Sequence, residues 1–211
     1  MVNARSGHQL AHLHRKFEYK TKDYIYAIGS KYPDETSKKC EVYDISKDQW
    51  FEICDLTQPR HYHTVTVHDS RYIYVIGGRD SMNETPLESI ERLDGYADLS
   101  KQKWEPVPIV NKDNAWSPRD TLGSFALNDS EILIFGGDYG WISDCFNFNT
   151  KTNVILRMDQ CSLKKPEEFF RSQPVRYNEK IFVIGCLDKD LHVFSIKAKK
   201  WFLLEKWYIE W

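Results

Sequence analysis

His61, Tyr62 and His63 form the most ligand-like string in the chain. In a strand, side chains at i and i+2 point to one face, and two imidazoles so placed can share a metal ion. His8, His12 and His14 alternate in the same way near the amino terminus. A metal centre needs further ligands at a definite spacing, and neither string supplies them, so no metal is expected. His63 also holds the place in its segment that His8 holds in Arg5-Ser6-Gly7-His8, which makes the histidine part of a recurring pattern. The sequence has no glycine-rich phosphate loop, no G-x-S-x-G elbow and no H-E-x-x-H pair. Neither catalysis nor a cofactor is expected.

Arginine recurs more regularly. Arg5, Arg60, Arg119 and Arg171 each stand at the opening of a candidate strand, and Arg60 and Arg119 each precede a glycine by 17 residues, at Gly77 and Gly136. A guanidinium is a planar fork that matches a carboxylate, whether on a partner or within the same chain. Two readings stand side by side. The arginines gather into an electropositive surface for acidic segments, or each is structural and pairs with carbonyls or with acids such as Asp120 and Glu168.

The elements that must position these residues come from a repeat. YIYVIGG at 72–78 recurs as YIYAIGS at 24–30, EILIFGG at 131–137 and KIFVIGC at 180–186. Its first glycines, Gly29, Gly77, Gly136 and Gly185, are 48, 59 and 49 residues apart. A period of this size marks one supersecondary unit stacked side by side. Each unit reads as four short strands, A to D: a hairpin ending at the glycine, a polar loop of variable length, then two further strands. Strand C carries Val42-Tyr43-Asp44, Arg92-Leu93-Asp94, Asn147-Phe148-Asn149 and Val193-Phe194-Ser195. Strand D opens on Trp50, Trp104 and Trp201, with Ile155 in the third unit. The tryptophans are expected to be buried between neighbouring units, with looser packing around Ile155.

Bulk properties exclude other classes. A net charge of −2, from 29 basic and 31 acidic residues, leaves no footprint for nucleic acid or an anionic membrane. Cys40, Cys54, Cys145, Cys161 and Cys186 are odd in number and form no C-x-x-C pair, so reduced thiols are expected. The chain shows no signal-peptide pattern and no apolar run of membrane-spanning length, and a cytoplasmic, cytoskeleton-associated setting is the expectation. Asn83-Glu84-Thr85 and Asn128-Asp129-Ser130 match the glycosylation tripeptide but read as turns.

Arg5-Ser6-Gly7-His8, the strand B glycines, the Tyr-Asp of strand C and the tryptophan about seven residues later together resemble the kelch repeat. The resemblance covers roughly residues 4 to 205, with departures at Gly29-Ser30 and Gly185-Cys186, where the second glycine is missing. It implies an all-β propeller of four four-stranded blades, at about 4–56, 57–110, 116–158 and 168–205, within one domain. Radial stacking buries blade faces that an isolated meander leaves exposed.

The resemblance also implies non-catalytic binding or scaffolding of a protein partner through one loop face. Arg5, Tyr32, Arg60, Arg79, Trp116, Arg119, Tyr139, Trp141, Phe169, Phe170 and Arg171 are the candidate contacts, since aromatic and arginine side chains dominate interfaces. Trp116 and Trp141, among polar loop residues, are the ones expected to be exposed. Kelch proteins also serve as ubiquitin-ligase substrate adaptors. A few are enzymes, such as galactose oxidase with copper, but no Tyr, His and Cys cluster of that kind is identifiable here. Arg5 already stands at strand A, so no earlier blade is expected, and four blades are few for a kelch ring. An open arc is the expectation, completed by another chain or further sequence through its outer faces and the aromatic run Trp207-Tyr208-Ile209-Glu210-Trp211.

Overall fold

Each glycine-terminated run forms the second strand of a meander, because its branched and aromatic residues suit a pleated surface. The computed structural model describes residues 1–16, 19–137, 143–159, 161, 174–184 and 191–204. The first sheet contains β1 (Gln9–Lys16), β2 (Thr21–Ile28), β3 (Cys40–Asp44) and β4 (Gln49–Glu52). The second contains β5 (Thr64–His68), β6 (Tyr72–Ile76), β7 (Ile90–Asp94) and β8 (Trp104–Val107). After the two-residue β9 (Val110–Asn111), the third contains β10 (Leu122–Ala126), β11 (Glu131–Gly136), β12 (Cys145–Asn149) and β13 (Val154–Arg157). The fourth contains β14 (Val175–Tyr177), β15 (Lys180–Ile184), β16 (Leu191–Ser195) and β17 (Lys200–Leu204). Neighbours in sequence are neighbours in each sheet and run antiparallel, and β9 adds a short parallel strand beside β13. The fold is all-β, with four four-stranded blades of the propeller type.

The chain divides into two compact units, residues 1–109 with 117–120 and residues 110–116 with 121–211. In the first, Leu13, Tyr24, Tyr26 and Val42 pack with Ile73, Val75, Leu93 and Trp104. In the second, Leu133, Phe135 and Cys145 pack with Ile181, Val183 and Phe194.

Short polar residues make the turns. Asp44, Asp94 and Asn149 accept the backbone N–H two residues on, from Ser46, Tyr96 and Lys151. Asn83 and Asn128 do the same for Thr85 and Ser130, so both tripeptides are turn chemistry.

In β5 the polar residues face inward: Thr64, Thr66 and His68 are buried, while Val65 and Val67 lie half-buried against the core. Two local expectations are corrected. Trp104 is buried at 4% exposure, but Trp50 and Trp201 are only half-buried. Ile155 is fully buried rather than loosely held, because β9 pairs alongside it through Asn111.

Candidate functional site

Arg5, Arg60 and Arg119 lie three or four residues before strand A and point inward. Arg5 Nη1 donates to the carbonyls of Gly29 (3.2 Å) and Lys39 (2.5 Å), and Nη2 reaches Glu41 Oε1 at 2.9 Å. Arg60 repeats the arrangement one blade on. Its Nη1 donates to Gly77 O (2.8 Å) and Ser89 O (3.2 Å), and Nη2 to Ser89 Oγ (3.0 Å) and Glu91 Oε1 (2.6 Å). Gly29 and Lys39 are the two ends of one B–C loop, and Gly77 and Ser89 the two ends of the next. Each guanidinium therefore clamps the base of its own blade's loop.

Both side chains have 0% exposure, and so does Glu41, with Glu91 at 1%. Burial pulls the Arg60 pKa down and Glu91 opposes it. Burial pushes the Glu41 carboxyl up, but hydrogen bonds from Arg5, Val2 and Asn3 outweigh it and hold the group below its ordinary range. An electropositive rim of exposed guanidiniums is thus not what Arg5 and Arg60 form. Sequence reasoning overlooked Glu41 and Glu91. The signal is present, because Glu41-Val42-Tyr43-Asp44 and Glu91-Arg92-Leu93-Asp94 share register, whereas the third blade has Phe146 there.

Arg119, at 1% exposure, instead donates to Ser117 O and Oγ, each at 3.0 Å. Arg79 is also turned in: Nε and Nη2 both reach Asp120 Oδ2 at 2.6 Å, and Nη1 donates to Glu84 O. Trp116, expected to be exposed, is 3% exposed. Asn111 holds its backbone through both amide atoms, and its ring meets Phe146 edge-on at 5.2 Å. Tyr139, Trp141, Phe169, Phe170 and Arg171, like the tail 207–211, lie outside the described residues.

His61 and His63 are buried. Tyr62 has φ 52°, so His61 and His63 are not alternate residues of one strand, and β5 begins only at Thr64. His61 pairs with Arg79 by two backbone hydrogen bonds, and its Nδ1 lies 3.1 Å from Ser81 Oγ. His63 is buried beside Gly29 and Gly78, and burial lowers its pKa well below the ordinary value. Both glycines have positive φ, and a Cβ on Gly29 would sit 2.4 Å from Arg60 O. His12 and His14 do share a face, where both contact Asp23 Oδ1, at 2.8 and 2.9 Å. Among the described residues no group of three or more potential ligands could hold a metal ion.

The surface left by these clamps is a groove of about 500 Å³ in the first unit, lined by Asp34, Ser37, Lys38, Lys39, Asp55, Pro59 and Met82. The first B–C loop supplies Asp34, Ser37, Lys38 and Lys39 from around a short 3-10 turn, Glu35–Lys38, which Asp34 caps by accepting Thr36 N–H. The second supplies Met82, whose N–H donates to Asp80 Oδ1 at 2.8 Å. Ser81 Oγ ties the second loop to Ser30 O of the first at 2.7 Å. Met82 and Tyr32 are large apolar side chains left 61% and 45% exposed at the loop tips. Lys31 Nζ stands over the Tyr62 ring at 5.6 Å, and Lys39 pairs with Asp55 at 3.2 Å. Of the sequence-predicted contacts among the described residues, Tyr32 is the one left exposed, two residues before Asp34 on the same loop.

Known proteins share this repeat. A RING finger domain and kelch repeat-containing protein of Dictyostelium discoideum is 35% identical over 97 residues, 46% of this chain and 9% of that protein. Kelch-like protein 7 of Rattus norvegicus is 29% identical over 129 residues, 60% of this chain and 20% of that protein. An F-box/kelch-repeat protein of Arabidopsis thaliana is 30% identical over 89 residues, 42% of this chain and 24% of that protein. The chain thus spans less than a quarter of the length of each. The family model described as the KLHDC2/KLHL20/DRC7 kelch-repeats domain matches residues 7–206, nearly the whole chain, and with four blades of that repeat in the structure the chain belongs to this kelch-repeat family.

Proposed function

We propose that the chain is a non-catalytic protein-recognition module that takes a partner segment into the groove between its first two B–C loops. The observation that carries this reading is the pair of clamped loops, which leave Met82 exposed in the lining of a concave surface and Tyr32 exposed on the loop that supplies Asp34, Ser37, Lys38 and Lys39 to it. Loops on a rigid scaffold are the usual place for recognition, and holding them beforehand lowers the entropy lost on binding. Lys31, Lys38 and Lys39 take over the role first given to the arginines and suit an acidic segment. The free thiols of Cys40 and Cys54, pushed up by burial to about 12 and about 11, fit a reducing, cytoplasmic setting.

Affinity capture with the intact chain and with a Tyr32→Ala, Met82→Ala double variant tests the groove. Capture should fall roughly tenfold or more, as for a central interface pair, with the melting temperature unchanged. Added salt should weaken capture as well, because exposed charges are screened beyond about 8 Å at physiological ionic strength. Undiminished capture, or loss only alongside unfolding, would count against this site. A second reading is substrate adaptor of a ubiquitin ligase, supported by relatives in which kelch repeats accompany a RING finger or an F-box. Ubiquitin transfer to the captured partner that requires Tyr32 and Met82 would distinguish the two.

A further inference from the structure

The fourth sheet is well covered on one face and only partly on the other. Ile181, Val183 and Phe194 are buried in the second unit's core with Trp201 against them. On the opposite face Val175, Phe182, Val193 and Phe202 are successive cross-strand partners, an apolar row over all four strands. The two ends of the row are open, Val175 at 62% exposure and Phe202 at 50%, as are Tyr177 at 69% and Leu204 at 39% beside them, while Phe182 is half-buried and Val193 is buried at 4%.

The internal repeat says what such a face receives. Counted back from their strand B glycines, Phe182 corresponds to Tyr26, and their partners Val193 and Val42 correspond as well. In the first sheet Tyr26 and Val42 of this face are fully buried with Phe51 half-buried beside them, and the face packs on Ile73, Val75, Leu93 and Trp104 of the next blade. By the same register those four covering residues correspond to Ile25, Ala27, Tyr43 and Trp50 of the first sheet. Ile25, Tyr43 and Trp50 are only half-buried, and Leu10, paired with Ala27 on that face, is 52% exposed. One chain therefore carries both halves of a blade-to-blade contact, and neither half is fully covered.

We propose that a second copy of the chain seats the outer face of its first sheet on the exposed face of the fourth, head to tail. The two halves differ, so the contact is heterologous, and each copy offers one of each. Burying an apolar row of this kind is the same driving force that joins the first and second blades. The inference does not depend on the groove, which uses other residues.

Light scattering after size exclusion, from about 1 to 100 µM because association follows mass action, should show the intact chain passing from monomer to a larger species. Val175→Asp with Phe202→Glu, and separately Leu10→Glu, should each raise the apparent Kd at least tenfold. An equimolar mixture of the two variants should pair one to one, since each retains the half the other has lost. Should the double variant melt early, Val175→Lys alone is read instead, at a position already exposed. A chain that stays monomeric throughout overturns the proposal and leaves these faces to a different occupant. Variants that associate like the parent overturn it too, and so does a mixture that fails to pair, which would signal a symmetric contact of like faces.

Discussion

Arg60 and Glu91 meet at 2.6 Å with 0% and 1% side-chain exposure, so neither charge has water to fall back on. Removing one partner leaves the other buried and unpaired. Arg60→Ala or Glu91→Ala should therefore cost about 3–5 kcal/mol in denaturant titration, and a loss below about 1 kcal/mol would show that the clamp does not hold the blade. Histidine sets the response to acid. Burial lowers the pKa of His63, His61 and His8 in the fold. The unfolded chain takes up protons near pH 6.5 and the folded chain only lower, so more protons are bound unfolded and stability falls as pH drops below about 6.5. Urea midpoints should decline from pH 7.5 to 5.5, and His63→Gln should flatten that decline. Carboxylates such as Glu41, held low, act in a separate window below about pH 4.5.

Elements differ in how far their anchors are buried. Trp104 opens β8 at 4% exposure inside the first unit's core, so Trp104→Ala should cost about 3–5 kcal/mol, the usual loss for a core aromatic. Trp50 occupies the same strand position but is half-buried on the outer face of the first sheet, and Trp50→Ala should cost clearly less. Equal losses would contradict the difference in packing. The strand B glycines are constrained by the neighbouring blade as well as by their own turn. Gly29 has φ +70° and lies against the Arg60 carbonyl, so Gly29→Ala should destabilise by more than about 1 kcal/mol although Gly29 is in another blade.

At the scale of the molecule, protection should follow burial. In β6 and β11 four and five residues are buried, whereas β14 is exposed at all three positions and β17 alternates exposed with half-buried. Amides of β14 to β17 should exchange faster than those of β2, β6 and β11 in hydrogen-exchange mass spectrometry of dilute protein. Uniform protection across the four sheets would show that the exposed face does not weaken its blade.

The sequence alone determined the repeat, the order of strands within each blade and the kelch family, because period-two patterning and the glycine ends are local signals written four times over. It also placed the turns at Asn83 and Asn128, whose side chains act on their own backbone two residues away. Which way each arginine points was open, since a guanidinium on the surface and one clamped on Glu41 or Glu91 give the same periodic arginine. The partner lies 31 to 36 residues away, and only folding brings it close. Trp116 reads as a loop residue and is buried because Asn111 turns its segment back onto Phe146. The groove between the first two B–C loops joins segments of different blades, such as Asp34 and Met82. No local pattern encodes it, because its lining residues come together only when the two blades pack, so the tertiary structure alone decided that this groove exists.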